Sequence, residues 1–561
     1  MAQDIAKIRN VAIVGHGGVG KTSLVESILL AAGATTRLGK VDDGTTATDF
    51  DPDEIKRKIS LNTAVAFCDY KGHRLNLIDT PGYGDFVADA RAGLRVASAA
   101  IVVVDAVAGV QVQTEKVWKF ANEYGLPRVI VINRLDRERA DFNRTLESLQ
   151  KRLKGRLAPF QVPIGSEAGF TGVVDLIAMK ALITTDGKVT ETDIPGEVMD
   201  TVKSYREKLA EAAAETDDDL LAKYLEEGSI GEAEMLEALR KAVLNGAIVP
   251  VLAASAARGI GVLPLLELIL KEFPSPADQG AVEGVDPRTK TPVTRAPDPK
   301  APLSAVVFKT ITDPHVGKLS LFRVYAGTFR SDSQVLNTTR DAKERIGHLG
   351  WLMGKTQKPV EALGPGEIGV VAKLKDTLTG DTLSDEANPV ILPGISFPEP
   401  AISFAIQPKT RGDEDKISTA LHRDGGRGSD AAPPLRSGDQ AAPRLGHRPA
   451  PRRGRGGADE AQVQRGRVAP AAAHSLQGDG EGARGGAGQV QEADGRARPV
   501  RRHVAQDRAA RAGRRLRVRG RHLRRRHPAQ LHPLGGKGRA RLHEAGHPRR
   551  VPRRRPPGHA L

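Results

Sequence analysis

The chain has 561 residues and a formal net charge of +16, long enough for three or more domains, so core size does not restrict the fold. A lone cysteine, Cys68, excludes a disulfide framework and fits a reducing compartment. The N-terminal MAQDIAKIRN lacks a signal peptide's apolar stretch, and no apolar run approaches the roughly eighteen residues of a membrane span, so a cytoplasmic protein with no membrane partner is expected.

The first element predicted is a buried strand over Val-Ala-Ile-Val at 11–14. It is followed by Gly15-His16-Gly17-Gly18-Val19-Gly20-Lys21-Thr22 and then by SLVESILLAAG, a helical pattern that closes at Gly33. GxxxxGK[ST] between a strand and a helix is the phosphate-binding loop arrangement. Glycines let backbone N–H groups close around phosphates, and the helix N-terminus adds positive potential. Lys21 is placed to reach the β- and γ-phosphates, and the Thr22 hydroxyl to bind Mg²⁺. A second strand, Leu75-Asn76-Leu77-Ile78, leads into Asp79-Thr80-Pro81-Gly82. A carboxylate at that strand end can hold Mg²⁺ through water, and the Gly82 N–H can sense a γ-phosphate. By itself the tetrapeptide is also a good turn.

A third apolar run, Arg128 to Ile132, ends at Asn133-Arg134-Leu135-Asp136. Asp136 can accept two hydrogen bonds from the guanine N1–H and amino group. Adenine supplies neither, and an unpaired buried carboxylate is costly, which is how such a site rejects the wrong base. Asn133 is expected to brace the loop, and the flat guanidinium of Arg134 to lie over the base. The last run, Ile248 to Leu252, precedes Ala254-Ser255-Ala256-Ala257, whose small side chains let a backbone N–H approach the guanine O6, with Ser255 and Ala256 as candidates. Each of the four motifs sits at the C-terminal end of a predicted strand, as ligands do in open α/β sheets. GTP or GDP with Mg²⁺ is the expected ligand set.

The basicity is confined to the far end of the chain. Residues 424–561 hold 31 Arg, one Lys and 11 acidic residues, a net of +21, which leaves the first 423 residues at −5. This tail has no Phe, Tyr, Trp, Ile, Met, Asn, Thr or Cys and no periodicity, a composition unable to bury enough apolar surface to fold. An Arg/Gly-rich RNA-binding arm is one explanation. Reading one nucleotide later favours another: QVQEADGRARPVRRH (489–503) can become RYKKQTGGRGQFGD, and RLRVRGRHLRRRH (515–527) can become FEFVDDIFGGV. A shift of reading frame near residue 423 is therefore expected, and the tail is set aside from the fold.

Over residues 5–423 the sequence resembles elongation factor G and its paralogues. GSEAGFTGVVDLIAMKALI (165–183), REKLAEAAAETDDDLLAKYLEEG (206–228) and VLNGAIVPVLAASA (243–256) are similar to that family's G domain and its insertion. PLSAVVFKTITDPHVGKLSLFRVYAGTF and LKDTLTGDTL resemble its second domain, and PEPAISFAIQPKTRGDEDKISTALHR (398–423) the start of its third. The resemblance implies an α/β P-loop GTPase domain over 1–276 with an insertion at about 158–247, and a Pro-rich linker over 277–302. A β-barrel domain over 303–396, a truncated α+β third domain over 397–423 and a disordered tail complete it. It further implies a monomeric GTPase that works on the ribosome, contacting rRNA and ribosomal proteins and moving tRNA and mRNA indirectly.

Three departures bear on the chemistry. The family's Asp-Thr-Pro-Gly-His carries a water-positioning His where this chain has Tyr83, and a phenol lacks an imidazole's proton chemistry at neutral pH. Its Arg-Gly-Ile-Thr is here Arg57-Lys58-Ile59-Ser60, so Ser60 replaces Thr as a Mg²⁺ ligand and the flexible glycine is gone. The P-loop Asp common in translational GTPases is Gly18. With Lys21 and Tyr83 as the candidate catalytic residues, three outcomes stay open: a hydrolysing translation factor, a GTP-binding switch with weak hydrolysis, or a non-functional frameshifted product.

Overall fold

A computed structural model describes residues 3–185, 187–313, 316–397 and 416. The third-domain segment and the tail expected from the sequence lie outside the described residues, apart from Phe397 and Lys416.

The first domain alternates strands and helices. Its elements are β1 (Ile8–Gly15), α1 (Lys21–Ala31), α2 (Pro52–Arg57), β2 (Ala64–Tyr70), β3 (His73–Asp79), α3 (Val87–Val96) and β4 (Ala99–Asp105). They continue as α4 (Val112–Glu123), β5 (Arg128–Asn133), α5 (Phe142–Arg152) and β6 (Arg156–Pro159). One seven-stranded sheet runs in the order β2-β3-β1-β4-β5-β11-β6, where β11 is Ile248–Ala253. Only β2 is antiparallel to its neighbour.

The strands lie parallel and unbroken because their runs are apolar on both faces. In β1, Val11 and Ile13 pack among Leu24, Ile28 and Leu266, the last from α9 (Val262–Glu272), whereas Ala12 and Val14 pack among Leu94, Val117 and Ala121. Successive side chains point to opposite faces of a strand, so one run of sequence feeds two hydrophobic layers. Each fully buried Ile or Leu there contributes about 1.5–3 kcal/mol.

Between β6 and β11 stand a four-stranded antiparallel sheet of β7 (Gln161–Ile164), β8 (Gly172–Asp175), β9 (Lys180–Thr185) and β10 (Lys188–Thr192), and helices α6 (Met199–Ala214), α7 (Asp218–Glu227) and α8 (Glu232–Leu244). Residues 156–159 pair with β11 and so belong to the main sheet. Within the Pro-rich stretch 277–302 there is an antiparallel pair, Val282–Val285 with Pro292–Arg295, and Val285 also bridges Ile391.

The second domain is an all-antiparallel β domain whose largest sheet has eight strands, centred on Ser304–Asp313 against Gly317–Ala326. Its core holds Val307, Phe322, Val324, Phe329 and Leu363. Polar contacts seat it on the first domain. The Asn10 amide donates to the Gly366 carbonyl at 2.8 Å, and the Asn76 amide donates to the Asn10 side-chain oxygen at 2.7 Å. Lys309 Nζ lies 2.6 Å from Asp89 Oδ2 on α3. The Arg74 guanidinium lies over both the Phe67 and Trp351 rings, 4.4 and 4.3 Å from their centroids, and the two rings themselves meet at 5.9 Å. Among the described residues no helix is long and apolar enough to cross a membrane.

Candidate nucleotide site

At the C-terminal ends of β1, β3, β5 and β11 a cavity of about 390 Å³ opens, lined at one end by Gly17, Gly18, Lys21 and Thr22 and at the other by Asn133, Arg134 and Asp136. The loop between β1 and α1 takes its shape from backbone conformations open to glycine: Gly18 has φ +77° and Gly20, the N-cap of α1, φ +91°. A Cβ on Gly20 would also lie 2.5 Å from the Asn133 amide.

Lys21 is buried, and its ammonium donates to the carbonyls of His16 at 2.9 Å and Gly15 at 3.3 Å. Burial lowers its pKa to about 8, against the opposing pull of Asp79 and Asp49. Thr22 and Thr48 both donate hydroxyls to Asp79 Oδ2 at 2.8 Å, and the Ser60 hydroxyl is 3.1 Å from that of Thr22. Burial, and then the charge of Asp49, push the Asp79 carboxyl up to about 7. Asp49 is itself raised by burial. Asp79 Oδ1 and Asp49 Oδ2 are buried without hydrogen-bond partners.

Two crowded carboxylates and three hydroxyls beside a phosphate loop suit a hard cation that prefers oxygen ligands and keeps several waters, as Mg²⁺ does. Among the described residues no group of three or more His, Cys, Asp or Glu could hold a metal, so such an ion would depend on the hydroxyls, water and phosphate. Asp49 was not a candidate from sequence: no spacing rule links it to the P-loop, and only the fold of residues 39–60 brings it there.

The base end is organised by Asn133. Its amide donates to the Val19 carbonyl at 2.9 Å, and its side-chain oxygen accepts the Ala256 N–H at 2.9 Å. The brace expected of this residue thus joins the P-loop to the loop after β11. It also engages the Ala256 N–H, and Ala257, one residue on, shares the cavity wall with Ala256. Arg134, at φ +68°, donates to Asp105 Oδ2 at 3.0 Å while lining the cavity. Burial alone would raise the Asp105 carboxyl, but N–H groups of Ala108 and Val107 and the Arg134 guanidinium take it below its ordinary value. Asp136 Oδ1 is buried with no hydrogen-bond partner.

Other predicted residues support the wall from behind. The Thr80 hydroxyl donates to the Ile13 carbonyl at 2.7 Å, turned toward β1. The Leu135 N–H donates to the Ala254 carbonyl at 3.2 Å, and Ser255 N–H to that of Ile260 at 3.0 Å. Gly15, His16, Val19, Asp79, Thr80, Pro81, Leu135 and Ser255 are not among the lining residues. Gly82 lies so close to the P-loop that a Cβ there would be 2.2 Å from Lys21 Nζ and 2.6 Å from the Gly17 nitrogen. Tyr83 and Lys58 also line the cavity, and Lys58 caps α2 in a left-handed conformation, φ +56°, of the kind that glycine adopts without cost.

A strand–loop–helix phosphate cradle facing an Asn/Asp base loop across one sheet defines a P-loop nucleotide-binding domain of the guanine type, with a β domain attached. Residues 6–275 match the family model of the elongation factor Tu GTP binding domain, and residues 302–386 match that of elongation factor G domain 2. A crystal structure of a protein from Thermus thermophilus is similar with a TM-score of 0.67 at 36% identity, covering 75% of this chain. This chain covers 61% of that one. The chain belongs to the translational GTPases of the elongation factor G type.

Proposed function

We propose that this protein binds GTP and GDP with Mg²⁺ in the cavity between the P-loop and Asp136, hydrolyses GTP, and acts on the ribosome as a monomeric translation factor. The observation that carries the base assignment is Asp136: a buried carboxylate oxygen with no protein partner, opposite Lys21 and Thr22 in one cavity. A guanine edge supplies the donors that this oxygen lacks. Displacement of a fluorescent GDP from the purified chain by GTP and GDP, but not by ATP, tests it; equal displacement by ATP rules the assignment out.

The chemistry would be electrostatic. Lys21 exchanges its Gly15 and His16 carbonyls for phosphate oxygens, whose charge raises its lowered pKa again. The P-loop N–H groups take up the remaining phosphate charge, and the Gly82 N–H is the candidate contact to the γ-phosphate. Thr22, Ser60 and Asp79, with Asp49 beside them, would hold Mg²⁺, which supplies further neutralisation when bound. The attacking water has Tyr83 as its nearest candidate for orientation, and a phenol can hold a water without drawing off its proton at neutral pH. That feature supports a second possibility, a ribosome-associated GTP switch with weak hydrolysis.

Movement of tRNA and mRNA is proposed only for the intact form, because the shifted-frame RYKKQTGGRGQFGD resembles the fourth domain of elongation factor G, which in that family enters the decoding region. Restoring the frame near residue 423 should yield a product active in a translocation assay where the present chain is not. Translocation by the present chain would favour the RNA-binding arm instead.

A further inference from the structure

The stretch from Gly39 to Asp49 forms part of the cavity wall without helix or strand, and its own sequence gives no reason for its path. Two contacts from outside hold it. Glu26 on α1 is 1% exposed, and its Oε1 accepts the Ala47 N–H at 2.6 Å. The N–H groups of Gly39 and Thr48 lie near the same carboxylate and favour its charged form. The fit is close enough that a Cβ on Gly39 would lie 2.3 Å from Glu26 Oε2. On the other side, the Ala47 carbonyl faces Gly354 at a turn of the β domain, where a Cβ would lie 1.8 Å from the carbonyl oxygen. The Gly354 N–H donates to the Val65 carbonyl at 2.9 Å, which fixes the turn on β2. The residues just beyond Ala47 are Thr48, which donates to Asp79, and Asp49, whose carboxylate lies beside the hydroxyls of Ser60 and Thr22.

We infer that Glu26 is a positioning residue: with Gly354 as its backing from the β domain, it fixes the Ala47 peptide so that Thr48 and Asp49 complete the cation cluster with Thr22, Ser60 and Asp79. The inference rests on the proposal that this cluster holds a divalent cation beside a nucleotide. Glu26 touches neither group. It acts by supplying a buried, fixed acceptor to the Ala47 N–H, with Gly39 packed against its other oxygen. Because the Ala47 carbonyl, in the next peptide unit, abuts Gly354 of the second domain, a shift of the β domain would be felt at the cation cluster.

The test compares the full chain with Glu26→Gln, Glu26→Ala and Gly354→Ala. Trypsin cutting after Lys40, Lys56, Arg57 and Lys58, followed by mass spectrometry in nucleotide-free protein, reads the clamp directly. All three variants should be cut faster, the two alanine variants by about tenfold, as a loop that has lost its local protection is. Release of a fluorescent GDP across a Mg²⁺ titration reads the consequence. The Mg²⁺ midpoint should rise by about tenfold or more, as for loss of a residue that supports metal ligands, while release in excess chelator stays as in the wild type. A purely structural role would lower the melting temperature and leave the Mg²⁺ midpoint where it was, and that result overturns the inference. So does unchanged cutting in the conservative Glu26→Gln variant. If the wild type binds no guanine nucleotide, the proposed function fails, and the trypsin rates alone decide whether the clamp exists.

Discussion

The ring of Tyr83 rests on Gly17: a Cβ at Gly17 would lie 2.7 Å from the ring's Cζ, so the second P-loop glycine is the floor on which this tyrosine stands. Tyr83 keeps 39% of its surface exposed, with its ring over the phosphate loop. Two consequences can be measured. Gly17→Ala should displace the ring or the loop and weaken GDP binding. Unmodified protein should show slow ribosome-stimulated hydrolysis, and Tyr83→His should raise it by at least tenfold, the lower reach of a positioned acid–base group being about a hundredfold. Fast stimulated turnover that is untouched by Tyr83→Phe would show that another residue orients the water.

Asp136→Asn should weaken GDP binding on the order of a hundredfold, since a charge-assisted pair of hydrogen bonds is exchanged for a mismatched amide. ATP binding should be little affected. Equilibrium titration with fluorescent GDP, competed by each nucleotide, distinguishes a base-specific loss from general damage to the cavity.

The ion pair of Lys309 with Asp89 joins the β domain to α3, the helix that follows Gly82 and Tyr83. The two side chains are only 4% and 16% exposed. Lys309→Met leaves a buried carboxylate without its cation, which costs roughly 3–5 kcal/mol. The double variant Lys309→Met/Asp89→Asn should recover part of that loss. Denaturant unfolding of the single and double variants gives the coupling, and additive losses would mean that the pair does not interact energetically.

Glu272 near the end of α9 is buried, which pushes its carboxyl up to about 7 from an ordinary value of 4.5, although Arg240 and Lys271 oppose the shift. One of its oxygens has no hydrogen-bond partner. Between pH 4.5 and 7 the folded chain binds this proton more than the unfolded chain does, so this group's contribution is fully present below 4.5 and lost as pH rises through about 7. Glu272→Gln should therefore match the wild type near pH 4.5 and exceed it in stability above pH 7 by on the order of 2 kcal/mol. Melting curves across that range check it, and a difference that does not grow with pH would refute the assignment.

The sequence by itself carried the phosphate loop, the ends of β1, β3, β5 and β11, and the base loop at Asn133 to Asp136. Those features are contiguous: an apolar run, then glycines or carboxylates, then a helical period, and each element is specified by neighbours along the chain. The β domain was legible only through the resemblance of PLSAVVFKTITDPHVGKLSLFRVYAGTF and LKDTLTGDTL to the second domain of elongation factor G. What the tertiary structure decided are contacts between segments with no shared local signal. Asn133 divides its amide and oxygen between Val19 and Ala256, Arg134 turns to Asp105, and Asp49 is brought beside the hydroxyls of Thr22 and Ser60. Glu26 reads in sequence as one of several polar residues on α1; only folding sets its carboxylate against the Ala47 N–H. A side chain's chemistry is written in the chain, but its partner depends on which distant segment the packing of two sheets and their helices brings within hydrogen-bonding distance.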